Sequence, residues 1–198
     1  LTSTLLNPKV DGKTWPCCGY DGGKQKSASL LAIGNIIYSL QRNWDGRTGV
    51  GLAVSNDNGR SFESTNPLIK INMGYPNFVN AGKGYQDAPD NYIYIWGHGC
   101  ENSAYSGCDK MVMLRVPTNK ITDSKSYEYF AGMNGSSPTW ISTDPNASDL
   151  LQKAASVFDC AGTGKCNRSG MTYNRPLQRY IAWMSDWNGT DDFRNPGV

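Results

Sequence analysis

Three side chains that could do chemistry together, Arg42, His98 and Asp186, stand at the polar ends of three similar stretches. The stretches span 35–46, 91–98 and 179–189, and each is an apolar run that ends in a polar tip: Ile36-Ile37-Tyr38, Tyr92-Ile93-Tyr94-Ile95 and Tyr180-Ile181-Ala182-Trp183. If the tips of repeated units converge, a guanidinium, an imidazole and a carboxylate share one cavity. Such a set suits a sugar site. Asp186 would act as acid, base or transition-state stabiliser, and Arg42 would hold a hydroxyl or a substrate carboxylate. A shift of one residue would exchange Asp186 for Ser185. Asp45 and Glu101 lie just beyond the tips, Asp45 as a further substrate contact. Trp44 and Trp187 occupy matched positions where an aromatic face could stack on a sugar ring. Trp96 and Trp183 lie within their runs, where packing between units is the expected role. Asn188 opens a glycosylation sequon directly after Trp187, and a glycan there would obstruct a polymer.

Each candidate has a plain structural alternative. Arg42 can form a rim ion pair, His98 between Gly97 and Gly99 can be a satisfied loop histidine, and Asp186 can cap a turn. Glycosidases set two carboxylates across the scissile bond, and the tips supply one.

The elements that must position these groups read as short strands. Gly, at 22 residues, recurs between runs of β-branched and aromatic residues, which is the all-β pattern. One helix-like stretch spans 146–155, opened by Asn146 or Ser148. Residues 51–54, 110–116 and 127–130 read as further strands. Between the first of these and Phe62 stands Ser55-x-Asp57-x-Gly59-x-Ser61-Phe62, the Asp-box pattern. It describes a tight hairpin turn in which Asp57 accepts from turn N–H groups, Gly59 takes a positive φ and Phe62 enters the layer beneath. A strand-to-tip unit repeated with insertions is the grammar of β-propeller blades.

This pattern resembles the Asp-boxes of sialidase-like propellers. Asp90-Asn91-Tyr92-Ile93-Tyr94, the run from Met113 through Tyr129-Phe130-Ala131-Gly132, and Ser169-Gly170-Met171-Thr172-Tyr173-Asn174 resemble a family of secreted five-bladed propellers, some of them glycoside hydrolases acting on arabinan-type polysaccharides. The resemblance spans 19–198 and implies a five-bladed β-propeller of which about three blades fall within this chain. It also implies an N-terminal blade carrying the expected catalytic acids, which is not visible in this sequence. The single domain, 1–198, is therefore expected to be a portion of a longer propeller whose remainder is its partner.

Charge and cysteines narrow the setting. The chain has 198 residues, 19 Lys and Arg against 17 Asp and Glu, net +2, and no basic run, which argues against nucleic acid and anionic membranes as partners. The longest apolar stretches fall short of a bilayer span. Six cysteines and one histidine give no zinc spacing, so no metal or cofactor is expected. Local disulfides fit better: Cys100 with Cys108 and Cys160 with Cys166 would each stabilise a loop by about 2–3 kcal/mol, and the adjacent Cys17 and Cys18 could pair with each other or elsewhere. Sequons at Asn134, Asn146, Asn167 and Asn188 point to the same oxidising, extracellular compartment. The expected function is that of a secreted carbohydrate-active protein, a glycoside hydrolase on a polysaccharide. The alternatives are a propeller lectin, or a lyase in which His98 or a tyrosine removes a proton next to a carboxylate neutralised by Arg42.

Overall fold

A computed structural model describes residues 9–10, 13–14, 26–42, 50–66, 69–71, 73–103, 106–142, 144, 153–159 and 169–184. They are mostly β-strand, with almost no helix. In chain order the strands are β1 (Lys9–Val10), β2 (Lys13–Thr14), β3 (Lys26–Ile33), β4 (Ile36–Arg42), β5 (Val50–Ser55), β6 (Ser61–Ser64), β7 (Lys70–Ile71), β8 (Gly74–Phe78), β9 (Tyr92–Ser103), β10 (Ser106–Pro117), β11 (Glu128–Asn134), β12 (Ser137–Ser142), β13 (Phe158–Asp159), β14 (Ser169–Asn174) and β15 (Arg179–Met184). The helix-like stretch at 146–155 falls mostly outside the described residues.

Three sheets result. The first has the order β2-β1-β6-β5-β4-β3, with β7 beside β5; the second has β12-β11-β10-β9-β8, with β13 beside β10; the third is the β14-β15 hairpin. Neighbouring strands are antiparallel except β1 and β6, which run parallel. Among the described residues, none of the sheets closes on itself. Alternation decides the layering, because successive side chains of a strand point to opposite faces. Ile93 and Ile95 of β9, Val112, Leu114 and Val116 of β10 and Tyr129 of β11 meet Leu31, Tyr38, Leu40, Val50 and Leu52 of the first sheet in the main core. The other face of the second sheet carries Tyr94, Trp96 and Met111, which pack with Val79, Trp140 and Met171 in a second core against the third sheet. The central strands β9 and β10 of the second sheet are thus buried on both sides.

The three recurrent stretches are equivalent in this architecture. They form β4, β9 and β15, each the second strand of a hairpin whose first strand is β3, β8 or β14. The first strands meet in series. Phe78 N donates to Ser29 Oγ at 3.1 Å, joining β8 to β3. Asn80, just past β8, forms a parallel bridge with Thr172 of β14, and Tyr173 N donates to its carbonyl at 2.7 Å. The strands nearest this seam are therefore β3, β8 and β14. The three recurrent stretches lie one strand further out.

The serine and aspartate turn between β5 and β6 has the predicted geometry. Asp57 Oδ1 accepts from Ser61 N at 2.9 Å and from Ser55 Oγ at 2.8 Å, while Oδ2 accepts from Ser61 Oγ at 2.6 Å. Gly59 N donates to Ser55 Oγ at 2.8 Å. Gly59 has φ 82 and Asn58 φ 59, so two consecutive residues take the left-handed region that reverses the chain. Phe62 is buried with Ala53. Hydrogen bonds from Ser61, then from Ser55, hold the Asp57 carboxyl down at about 2.

Candidate functional site

Of the predicted site residues, His98 is described in full. It lies inside β9, where its Cα pairs with Met111 of β10 and Gly74 of β8, and it is 2% exposed. It is a buried strand histidine, which corrects the alternative of a loop histidine. The flanking glycines are there because the strands crowd them. A Cβ on Gly97 would lie 2.9 Å from the Gly74 carbonyl oxygen, 3.0 Å from Met73 Sδ and 3.0 Å from Pro76 Cα. A Cβ on Gly99 would lie 3.0 Å from Val112 Cγ1. Glycine in a strand interior marks just such close approach.

The pressure on Gly97 comes from a bulge. The register between β8 and β9 shifts between Gly74 and Asn77, and Tyr75 within that shift has φ 45, a left-handed conformation that a bulky side chain rarely takes. Its ring leans on the imidazole of His98, with centroids 5.8 Å apart and planes at 53°. Asn77 Nδ2 donates to the Tyr75 carbonyl at 2.8 Å and to the Ser169 carbonyl at 2.8 Å, tying the bulge to the start of β14. Ser169 is a hub. Its Oγ accepts from Trp96 Nε1 at 2.8 Å, and its Cα pairs with Met184, the last residue of β15. His98, Tyr75, Asn77, Trp96 and Ser169 therefore form one contiguous seam between the second and third sheets. Because β8 and β14 run parallel where they meet, β9 and β15 also run alike.

The other predicted residues are placed less fully. Arg42 ends β4, its backbone paired with Lys26 and Val50 in the first sheet. Trp44, Asp45, Asp186 and Trp187 lie outside the described residues. Trp96 packs between sheets as expected, whereas Trp183 is 61% exposed on the outer face of the third sheet, flat against Gly170, contrary to the packing role expected of it. Glu101 lies near the C-terminal end of β9. The Cα atoms of Cys100 and Cys108 are register partners across β9 and β10. Cys17, Cys18, Cys160 and Cys166 lie outside the described residues.

Further out on the same face of the second sheet is a cavity of about 330 Å³. Tyr94, Met113, Phe130 and Trp140 form its floor, and Met171 and Tyr180 of the third sheet its wall. Arg115 lies between Tyr92 and Trp140, 4.1 Å and 4.2 Å from the ring centres, and its Nε contacts Glu128 Oε2 at 2.7 Å. Asp90 accepts from Tyr94 Oη at 2.7 Å and from Tyr92 N at 3.0 Å. Burial, with the Asp90 carboxylate alongside, pushes the Tyr94 phenol well above the usual range, and burial carries that of Tyr180 up to about 12. Both phenols are neutral hydrogen-bonding groups at physiological pH. Sequence reasoning missed the cavity because it is assembled from strands distant in the chain; the aromatic alternation of Tyr92, Tyr94 and Trp96 is its local signal.

Among the described residues, no group of three or more His, Cys, Asp or Glu could hold a metal ion, and no helix is long and apolar enough to cross a membrane. The chain matches no protein-family model and no curated protein sequence.

Proposed function

We propose that the three sheets are blades of a secreted β-propeller, five-bladed when complete, and that the protein is a glycoside hydrolase acting on a polysaccharide at the seam beside His98. The observation that carries this reading is the pairing at the end of β15. Met184 pairs with Ser169, Ser169 holds Trp96, and Trp96 stands two residues from His98 on the same strand face. Asp186 follows Met184 by two residues in the sequence, and in this reading it supplies the carboxylate of the seam. In this reading the carboxylate meets the sugar beside the half-buried Tyr75, and the buried His98 imidazole stands behind that ring. The serial contact of β3, β8 and β14 and the Asp57 turn between outer strands support the blade reading.

Extracellular residence is supported by two local features. Cys100 and Cys108 are register partners, and Asn134 of the Asn134-Gly135-Ser136 sequon is exposed at the β11–β12 turn. Intact mass before and after enzymatic deglycosylation, together with a free-thiol count, tests this. A protein from eukaryotic secretion that carries no glycan and six free thiols would refute it.

Incubation of the full-length protein with a panel of plant and microbial polysaccharides, followed by measurement of new reducing ends, tests the hydrolase. Loss of release in Asp186→Asn is the expected result. No release from any substrate, with glycan binding retained, would favour the lectin reading, which the aromatic cavity beside Tyr180 supports because it can bind without turnover.

A further inference from the structure

We propose that Tyr75 is the ligand-facing residue of the seam and that His98, beneath it, is a positioning residue; the saccharide class of the ligand rests on the function proposed above. His98 is buried and cannot itself touch a polymer in this conformation, whereas Tyr75 is half-buried and covers it. The backbone at Tyr75 is unusual in a specific way. A residue before proline favours extended conformations, yet Tyr75 precedes Pro76 and has φ 45. Glycine at this position would adopt that φ without strain. The chain instead carries a tyrosine and locks it: Asn77 holds its carbonyl and the β8 bulge re-aims its side chain, with Gly97 cleared of a Cβ to make room. Strain maintained by several independent contacts is characteristic of sites where stability yields to geometry. A phenol so held offers a flat face for a sugar ring and a polar edge for its hydroxyls, and the imidazole below fixes the tilt of the ring.

The test is a comparison of the full chain with Tyr75→Gly, Tyr75→Phe and His98→Gln, measured by melting temperature and by calorimetric titration with oligosaccharides from the polysaccharide panel. Tyr75→Gly is expected to melt within about 2 °C of wild type or higher, since relief of strain offsets lost packing. Its affinity for oligosaccharide falls roughly three- to tenfold, the worth of one aromatic contact. Tyr75→Phe keeps the ring and most of the affinity. His98→Gln loses affinity, and the loss vanishes when Tyr75 is already glycine, the non-additivity of a residue acting through another. Because His98 is the single histidine of the chain, its imidazole resonance reports the site without ambiguity. It shifts on saccharide addition to wild type and not to Tyr75→Gly. The proposal is overturned if Tyr75→Gly melts about 6 °C or more below wild type, the cost of deleting an ordinary packed aromatic, or if it binds within twofold of wild type. A flat wild-type titration would instead refute the carbohydrate reading itself, and with it the saccharide class of the ligand.

Discussion

Gly97→Ala would place a methyl group where the β8 bulge presses on β9. Alanine ordinarily suits an extended strand better than glycine and by itself would add about 0.4–1 kcal/mol through the unfolded state. Against this, the new Cβ stands 2.9 Å from the Gly74 carbonyl oxygen and 3.0 Å from Pro76 Cα, and both are backbone atoms that cannot rotate away. Overpacking of this kind costs about 1–3 kcal/mol, so mid-range values leave a net loss of about 1–2 kcal/mol. For a chain of this size that is roughly a 2–8 °C fall in melting temperature. Gly99→Ala is the control: its Cβ would meet Val112 Cγ1 at 3.0 Å and Lys110 Cγ at 3.1 Å, side-chain atoms that can yield. Urea denaturation monitored by tryptophan fluorescence, with equal m-values for the three proteins, measures the differences. The imidazole resonance of His98 should also move in Gly97→Ala as the bulge and Tyr75 are pushed away. Equal midpoints for Gly97→Ala and wild type, or a larger loss in Gly99→Ala, would show that the bulge does not press on β9 as described.

Other substitutions separate partnered groups from unpartnered ones. Tyr127 Oη donates to the Ile121 carbonyl at 2.6 Å, so Tyr127→Phe should cost about 1 kcal/mol; Tyr129 Oη is buried with no hydrogen-bond partner among the described residues, so Tyr129→Phe should be neutral or stabilising by urea denaturation. Arg115→Lys keeps the charge beside Glu128 but loses the planar stack between Tyr92 and Trp140, a loss of about 1 kcal/mol measurable in the same assay. Asp57 has a folded-state pKa held below its unfolded value, so its contribution is complete above the unfolded pKa and is lost as pH falls through about 2. Melting curves from pH 5 to pH 2 should therefore show a steeper acid decline in wild type than in Asp57→Asn.

Local chemistry was legible in the sequence, and long-range packing was not. The turn at Asp57 is determined by side chains within seven residues, so its hydrogen bonds follow from the motif alone. The strands around Val50, Met111 and Tyr129 follow from alternation and β-branching. The recurrence of the three stretches correctly marked β4, β9 and β15 as equivalent. Their place within each hairpin depends on which strand meets the neighbouring sheet, a non-local fact. Tyr75 carried no signal, because Pro76 argues for extended backbone and only the bulge, with Asn77 holding the Tyr75 carbonyl, overrides it. His98 reads from sequence as the polar tip of an apolar run, or as a satisfied loop histidine, because nothing local shows that the strand continues past Gly99. In a strand the flanking glycines mark close approach of another backbone.

The long hairpin of β9 and β10 has a kinetic consequence. Its strands pair from Tyr92 with Pro117 to Ser103 with Ser106, irregularly only around Cys108, and they are close in sequence, so their pairing carries little entropic cost. Both of its faces are buried, each in a different core. It is expected to form early and to template the docking of the sheets on either side. Amide exchange should accordingly be slowest at Ile95, Trp96, Val112 and Leu114, with β14 and β15 opening independently and sooner.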